Sequence, residues 1–124
     1  MKITKEDVLN IYKILTTETG GTVGIRDEGL LLSALEAPYQ TFGGVELFPT
    51  LVEKTVRMGY GLVANHPFVD GNKRIGILVM LTFFKLNGID LEFSDNEVID
   101  MAIGVASGKY KYDDLLSIVN KKLA

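Results

Sequence analysis

The sequence predicts an all-α fold: a compact single-domain bundle of about six helices with one buried helix at its centre. The 124 residues suit one domain that spans residues 1–124. Apolar side chains recur at helical spacing in most segments, and capping residues or glycines separate these segments. Apolar residues make up 47% of the chain, which is enough for a folded core and argues against intrinsic disorder.

The composition excludes several classes of protein. The chain has no cysteine, so disulfides, thiolate catalysis and cysteine-ligated zinc are excluded. Its net charge of −3 provides no broad basic surface for nucleic acid or membranes, so any anion site must be local. The N-terminus, MKITKEDVLN, has no apolar signal core, and the most apolar run, IGILVMLTFF, is too short to cross a bilayer. We therefore expect a soluble, cytoplasmic protein.

Two helices are predicted ahead of Pro38. Thr4 can cap the first helix, with an acidic residue three positions later in a loose form of the capping box. Apolar residues then recur at helical spacing: Val8, Leu9, Ile11, Tyr12 and Leu15. The stretch TGGTVG ends that helix. Asp27 can cap a second helix, which should stop before Pro38 because proline disfavours helical geometry in the preceding residue.

Residues 39–48, YQTFGGVELF, combine aromatic residues with a Gly-Gly pair. Both a short hairpin and an irregular flap fit this pattern. A mobile flap would suit the alignment of a target chain as an added strand, and a plain connector is the alternative. Pro49 suits the first turn of a third helix, and that helix should end near Asn65 because Pro67 follows.

The second half of the chain predicts three more helices. The fourth begins near Asn72 and is apolar on almost all sides, so we place it at the centre of the bundle. The Asn-Gly pair at residues 87–88 ends it. Ser94 or Asp95 caps a fifth helix, which Gly108 ends. The stretch YDDLLSIVNKKL predicts a sixth, with acidic residues in its first turn and lysines in its last.

One turn, NHPFVDGNKRIG at residues 65–76, gathers groups that phosphate chemistry uses. The start of a helix is a natural anion site, because its first backbone N–H groups have no partners within the helix. Gly71 just before it permits a close approach of the backbone to a ligand. Lys73 and Arg74 lie in the first helical turn, where cations oppose the helix dipole unless an anion offsets them. Such a departure from local rules is typical of a functional site.

Three further residues of this turn have chemical roles available. Asp70 provides a carboxylate beside the anion site, which makes it a reasonable Mg²⁺ ligand. Asn72 can cap the helix or contact phosphate. His66 is the only histidine of the chain and suits the general base for a hydroxyl, because imidazole exchanges protons near neutral pH. Turn, cap or solvated-charge roles explain each residue alone, but not why a base, an acid, an amide and two cations share one turn.

The stretch HPFVDGNKR, residues 66–74, resembles the signature of the Fic/Doc family: histidine, any residue, phenylalanine, any residue, an acid, a small residue, asparagine, glycine or lysine, and arginine. The stretch GGTVGIRDEGLLLSAL resembles an early segment of the Doc (death-on-curing) branch. The resemblance implies an all-α fold in which His66 deprotonates a target hydroxyl and Asp70 holds Mg²⁺. The residues that it implies for the phosphates of ATP are Gly71, Asn72, Lys73 and Arg74.

Most Fic members transfer AMP to a protein hydroxyl, whereas Doc phosphorylates a threonine of elongation factor Tu, arrests translation and is neutralised by an antitoxin encoded beside it. Lys73 and Ile77 depart from the AMP-transferring pattern, which has glycine and a second arginine at these positions. The resemblance therefore implies a Doc-type toxin kinase that uses ATP and Mg²⁺, with a cognate antitoxin and a target such as elongation factor Tu as partners. An AMP transferase on the same site is the alternative, and a non-catalytic, antitoxin-binding co-repressor is a second.

Overall fold

The computed structural model describes residues 3–20, 23–69 and 74–124. Within these residues the chain forms six α-helices, so the predicted all-α bundle is confirmed. The helices are α1 (Lys5–Thr19), α2 (Glu28–Glu36), α3 (Leu51–Ala64), α4 (Arg74–Leu86), α5 (Asp95–Ala106) and α6 (Tyr112–Leu123). A short 3₁₀ turn, Ala37–Tyr39, follows α2, and a hairpin of β1 (Thr41–Phe42) and β2 (Val45–Glu46) leads to α3. None of the helices in the described part of the chain has both the length and the apolar character needed to cross a membrane.

Three helices begin at capping residues that the sequence predicts. Thr4 and Asp27 cap α1 and α2, and each side chain accepts a hydrogen bond from the backbone N–H three residues later. Of the two candidates for α5, Ser94 is the cap, and it forms a full capping box with Glu97. The last helix occupies the whole segment predicted for it.

The start of α3 corrects one prediction. The sequence places Pro49 in the first turn, whereas the structure puts it ahead of the helix and makes Thr50 the cap. The Thr50 hydroxyl accepts from the N–H of Glu53 at 3.1 Å, and the Glu53 carboxylate accepts from the N–H of Thr50 at 3.2 Å. This reciprocal arrangement satisfies two donors that the helix leaves unpartnered, so Thr50 defines the start more strongly than Pro49.

The pair α3 and α4 lies between two hydrophobic clusters and contributes side chains to both. The first cluster packs α1 and α2 against one side of the pair, and the second packs α5 and α6 against the other side. More than half of α4 is buried, as the sequence predicts for the central helix. Its buried residues are Ile75, Gly76, Ile77, Val79, Met80, Phe83 and Phe84.

Two glycines let α3 and α4 approach closely. A Cβ atom added at Gly76 of α4 would lie 2.7 Å from Cγ2 of Val63 and 3.1 Å from its backbone nitrogen. A Cβ atom added at Gly59 of α3 would lie 2.6 Å from Sδ of Met80. The contact between Val63 and Gly76 brings the end of α3 against the first turn of α4, and the predicted site lies in the connection between these two helices.

The segment between α2 and α3 is a hairpin, which decides between the two conformations that its sequence allows. Phe42 pairs with Val45 across a two-residue turn formed by Gly43 and Gly44. These glycines have φ of +58° and +79°, as a type I′ turn requires. The side chains of Phe42 and Val45 are 82% and 68% exposed, so the hairpin presents apolar groups to solvent.

Candidate active site

His66 has an unusual backbone conformation directly after α3. Its φ is +50°, and among the described residues no other non-glycine residue has a positive φ. The left-handed region costs an L-residue about 1–2 kcal/mol, because its Cβ crowds the following carbonyl oxygen. The side chain is half-buried, so the imidazole is still within reach of solvent. Backbone strain of this kind is typical of positions where a side chain must point in a defined direction.

Residues 24–27 run antiparallel to the loop that carries His66 and pair with it. The backbone N–H of Arg26 donates to the carbonyl of Pro67 at 2.6 Å. At the other end of the pairing, the N–H of Val69 donates to the carbonyl of Gly24 at 3.0 Å. The conformation of the histidine loop therefore depends on a segment that precedes it by a long stretch of chain.

The side chain of Arg26 contacts the same loop. Its Nε donates to the carbonyl oxygen of His66 at 2.8 Å, and its Nη2 donates to that oxygen at 2.6 Å. Nη2 also donates to the carbonyl oxygen of Asn65 at 3.2 Å. One guanidinium group thus binds two consecutive backbone carbonyls, one on each side of the histidine Cα.

Phe68 anchors the histidine loop in the core. It is 1% exposed and belongs to the first hydrophobic cluster, where it stacks on Tyr12 of α1. Two residues away, His66 is only half-buried. The contact between Phe68 and Tyr12 therefore fixes the loop to the core, while His66 stays near the surface.

The structure describes only some of the residues that the sequence assigns to the site. His66 lies in the loop after α3, and Arg74 is the exposed first residue of α4. Asp70, Gly71, Asn72 and Lys73, predicted for Mg²⁺ and phosphate, lie outside the described residues, and their roles stay predictions. Within the described ranges, no group of three or more histidine, cysteine or carboxylate side chains is arranged to hold a metal ion.

The sequence does not identify two residues, Arg26 and Tyr12, as supports of the histidine loop. Arg26 lies 40 residues before the carbonyl of His66 that it binds, and no local periodicity connects the two. Tyr12 reads as an ordinary core position of an amphipathic helix. The one available signal is that Arg26 lies within GGTVGIRDEGLLLSAL, the early segment that resembles the Doc branch.

Comparison with known proteins agrees with the motif. Residues 2–84, which include the whole signature and most of α4, match the model of the Fic/DOC family. The chain is 34% identical over 113 residues to "Toxin Doc" of Mycolicibacterium smegmatis, a match that covers 90% of this chain and 85% of that protein. It is 26% identical over 107 residues to "Protein kinase doc" of Escherichia phage P1, with coverage of 86% and 83%. The chain therefore belongs to the Fic/DOC family, and the predicted resemblance is confirmed.

Proposed function

We propose that this protein is a Doc-type toxin that transfers the γ-phosphate of ATP to a hydroxyl group of a target protein and thereby arrests translation. A threonine of elongation factor Tu is the proposed target. The observation that carries the proposal is His66: it is the only histidine of the chain, and it is held in a strained, solvent-accessible conformation within the family signature. The names of the two relatives, a toxin and a protein kinase, support the same class of activity.

In the proposed reaction, a ring nitrogen of His66 accepts the proton of the target hydroxyl as the hydroxyl oxygen attacks the γ-phosphorus. A new P–O bond forms, the bond from the γ-phosphorus to the oxygen of the β-phosphate breaks, and ADP leaves. The proton held by His66 then passes to solvent. Phosphoryl transfer depends mainly on the positions of the reacting groups and on stabilisation of their charge. A histidine whose backbone is fixed by hydrogen bonds suits this chemistry.

The start of α4 is the proposed phosphate site, because its backbone N–H groups and positive dipole favour anions. Gly71, Asn72, Lys73 and Arg74 would bind the phosphates there, and Asp70 would hold Mg²⁺. Magnesium commonly takes one or two protein carboxylates together with phosphate oxygens, so a single carboxylate such as that of Asp70 is enough for this role. When bound, Mg²⁺ would neutralise charge on the transferred group.

Ile77 supports phosphate transfer over AMP transfer. The AMP-transferring pattern has a second arginine at this position, which helps to grip the terminal phosphate. Ile77 is fully buried in the second hydrophobic cluster, so its side chain offers no charge to a nucleotide. Lys73 adds a cation that the AMP-transferring pattern lacks. We infer that the nucleotide binds with its γ-phosphate toward His66.

The test uses ATP labelled at either the α- or the γ-phosphate, added to bacterial lysate with the purified protein. Label on a target from γ-labelled ATP alone, with ADP released and a mass increase of one phosphate, is the expected result. The His66→Ala variant is the matched control and should transfer no label. Transfer of the α-label with release of pyrophosphate would make the protein an AMP transferase, and no transfer of either label would favour the non-catalytic co-repressor.

A cognate antitoxin is the proposed partner that restrains this activity. Expression of the protein alone should arrest growth, whereas expression together with a cognate antitoxin should not. The His66→Ala variant should permit growth in both cases. Growth arrest by His66→Ala equal to that of the unaltered protein would contradict the role of His66 as the base.

A further inference from the structure

We infer that Arg26 is a positioning residue for His66: its guanidinium group holds the backbone conformation from which the imidazole acts. This inference rests on the proposed function, because it takes His66 to be the general base. Arg26 is not a catalytic residue, because it touches no reacting atom of the proposed transfer. It acts through the peptide groups on either side of the histidine.

The positions of the two bound carbonyls carry the inference. The carbonyl of Asn65 precedes the nitrogen of His66, and the carbonyl of His66 follows its Cα. Only the two dihedral angles of His66, φ and ψ, separate these groups. Arg26 binds both oxygens from one rigid, planar group, at 3.2 Å and at 2.6–2.8 Å. Those contacts therefore restrict the same two angles that place His66 in the left-handed region.

The backbone of Arg26 is fixed to the same loop, so its side chain starts from a defined place. Its N–H donates to the carbonyl of Pro67, and the N–H of Asp27 donates to the same oxygen at 3.1 Å. Asp27 is also the cap of α2, so this segment is tied to a helix as well. The guanidinium group therefore extends from an anchored segment to the carbonyls of Asn65 and His66.

The charge of Arg26 makes these contacts stronger than bonds between neutral groups. Nε and Nη2 of Arg26 already donate to backbone oxygens, so the guanidinium group is not arranged as an ordinary phosphate ligand. Lysine cannot replace this function, because its ammonium group is a point donor on a flexible chain and lacks the planar fork. The inference thus separates Arg26 from Arg74, which is proposed to bind phosphate directly.

The first measurement is steady-state phosphate transfer by Arg26→Gln and Arg26→Lys, with ATP and purified elongation factor Tu. A misplaced base should lower kcat by roughly 10- to 100-fold in Arg26→Gln, with the KM for ATP changed by less than about twofold. Arg26→Lys should recover only a small part of the loss. Lys121→Gln removes a cation from the exposed end of α6 and is the matched control, with kinetics equal to those of the unaltered protein.

A second measurement is independent of activity. His66 is the only histidine, so the Cε1–H of its imidazole gives one assignable nuclear magnetic resonance signal. That signal and the Cα signal of His66 should be sharp in the unaltered protein. Both should shift or broaden in Arg26→Gln and Arg26→Lys, while methyl signals of the two hydrophobic clusters keep their positions. Lys121→Gln should leave all of them unchanged.

The outcomes separate this inference from the proposed function. A higher KM for ATP with unchanged kcat would overturn it, because Arg26 would then act on the nucleotide. Unchanged His66 signals in both Arg26 variants would also overturn it, whatever the activity. If the unaltered protein transfers no phosphate, the proposed function fails, and the His66 signals still decide whether Arg26 fixes its conformation.

Discussion

Tyr12 of α1 and Phe68 of the histidine loop stack with their ring planes 8° apart and their centroids 3.9 Å apart. The Tyr12 hydroxyl donates to the carbonyl of Gly24 and accepts from its N–H, each at 3.1 Å. One buried side chain thus connects the first helix to the histidine loop and to the segment that carries Arg26. Removal of its hydroxyl group tests the polar part of this connection alone.

Tyr12→Phe should keep the stacked rings and lower the free energy of unfolding by about 0.5–1.5 kcal/mol, because the half-buried N–H of Gly24 loses its partner while the carbonyl of Gly24 keeps the N–H of Val69. Urea unfolding measures the difference. Tyr110→Phe is the control: it removes an exposed hydrogen bond of 2.8 Å to Asp100 and should change stability by less than about 0.5 kcal/mol. Equal stability changes in the two variants would show that Tyr12 contributes only through its ring.

The left-handed backbone of His66 predicts an order of stability between two variants. Both His66→Gly and His66→Ala lack the imidazole, and both should be inactive. His66→Gly should be more stable than His66→Ala by about 1 kcal/mol, because glycine adopts positive φ without the steric penalty of a Cβ. Chemical unfolding of the two proteins at neutral pH measures this difference. A more stable alanine variant would mean that the loop relaxes to negative φ once the histidine is gone.

The Gly-Gly turn of the hairpin tests whether that segment aligns a target or only connects two helices. Proline at Gly43 and Gly44 cannot follow φ of +58° and +79°, because its ring fixes φ near −65°. The double variant should lose most target modification but bind ATP as before, measured by label transfer and by calorimetry. Gly43→Asn suits the same type I′ turn and should behave far more like the unaltered protein. Full activity in the proline variant would favour a plain connector.

Tyr112 predicts a fall in stability at alkaline pH. Partial burial, followed by the carboxylates of Glu53 and Asp113, raises the pKa of Tyr112 to about 12 from an ordinary value of 10.0. As pH rises between these values, the unfolded chain loses the phenolic proton first. The folded protein keeps it, so the free energy of unfolding decreases with pH. Tyr112→Phe should reduce this slope in urea unfolding series at pH 9 to 12, and equal slopes in both proteins would contradict the assignment.

Much of the fold was predictable because its signals are local. A helix such as α6 follows from apolar spacing and from charges at its two ends, all within one short segment. The sequence alone places the start of α3 too early, because Pro49 and Thr50 both signal a helix start and only the reciprocal bonds of Thr50 with Glu53 decide between them. The hairpin was undecided because a Gly-Gly pair allows many conformations until its φ angles are known.

Of the candidate site, the sequence predicts which chemical groups are present but not how they are held in place. The histidine, the cations and the aromatic anchor are adjacent in the sequence, so their types and order identify the family signature. The supports of the loop come from Tyr12 and Arg26, far away in the chain, and no spacing rule joins them to His66. The positive φ of His66 was also not predictable, because few non-glycine residues adopt it and because Pro67 favours an extended backbone with negative φ in the residue before it.

The contact between Val63 and Gly76 sets the distance between the end of α3 and the first turn of α4. Because His66 directly follows α3, the same contact sets how closely the histidine loop can approach the start of α4. The methyl group of Gly76→Ala would push the two helices apart at this point, because the nearest atoms include rigid backbone as well as the Val63 side chain. Such a variant would keep every polar group of the signature, but His66 would lie too far from the proposed phosphate site at the start of α4.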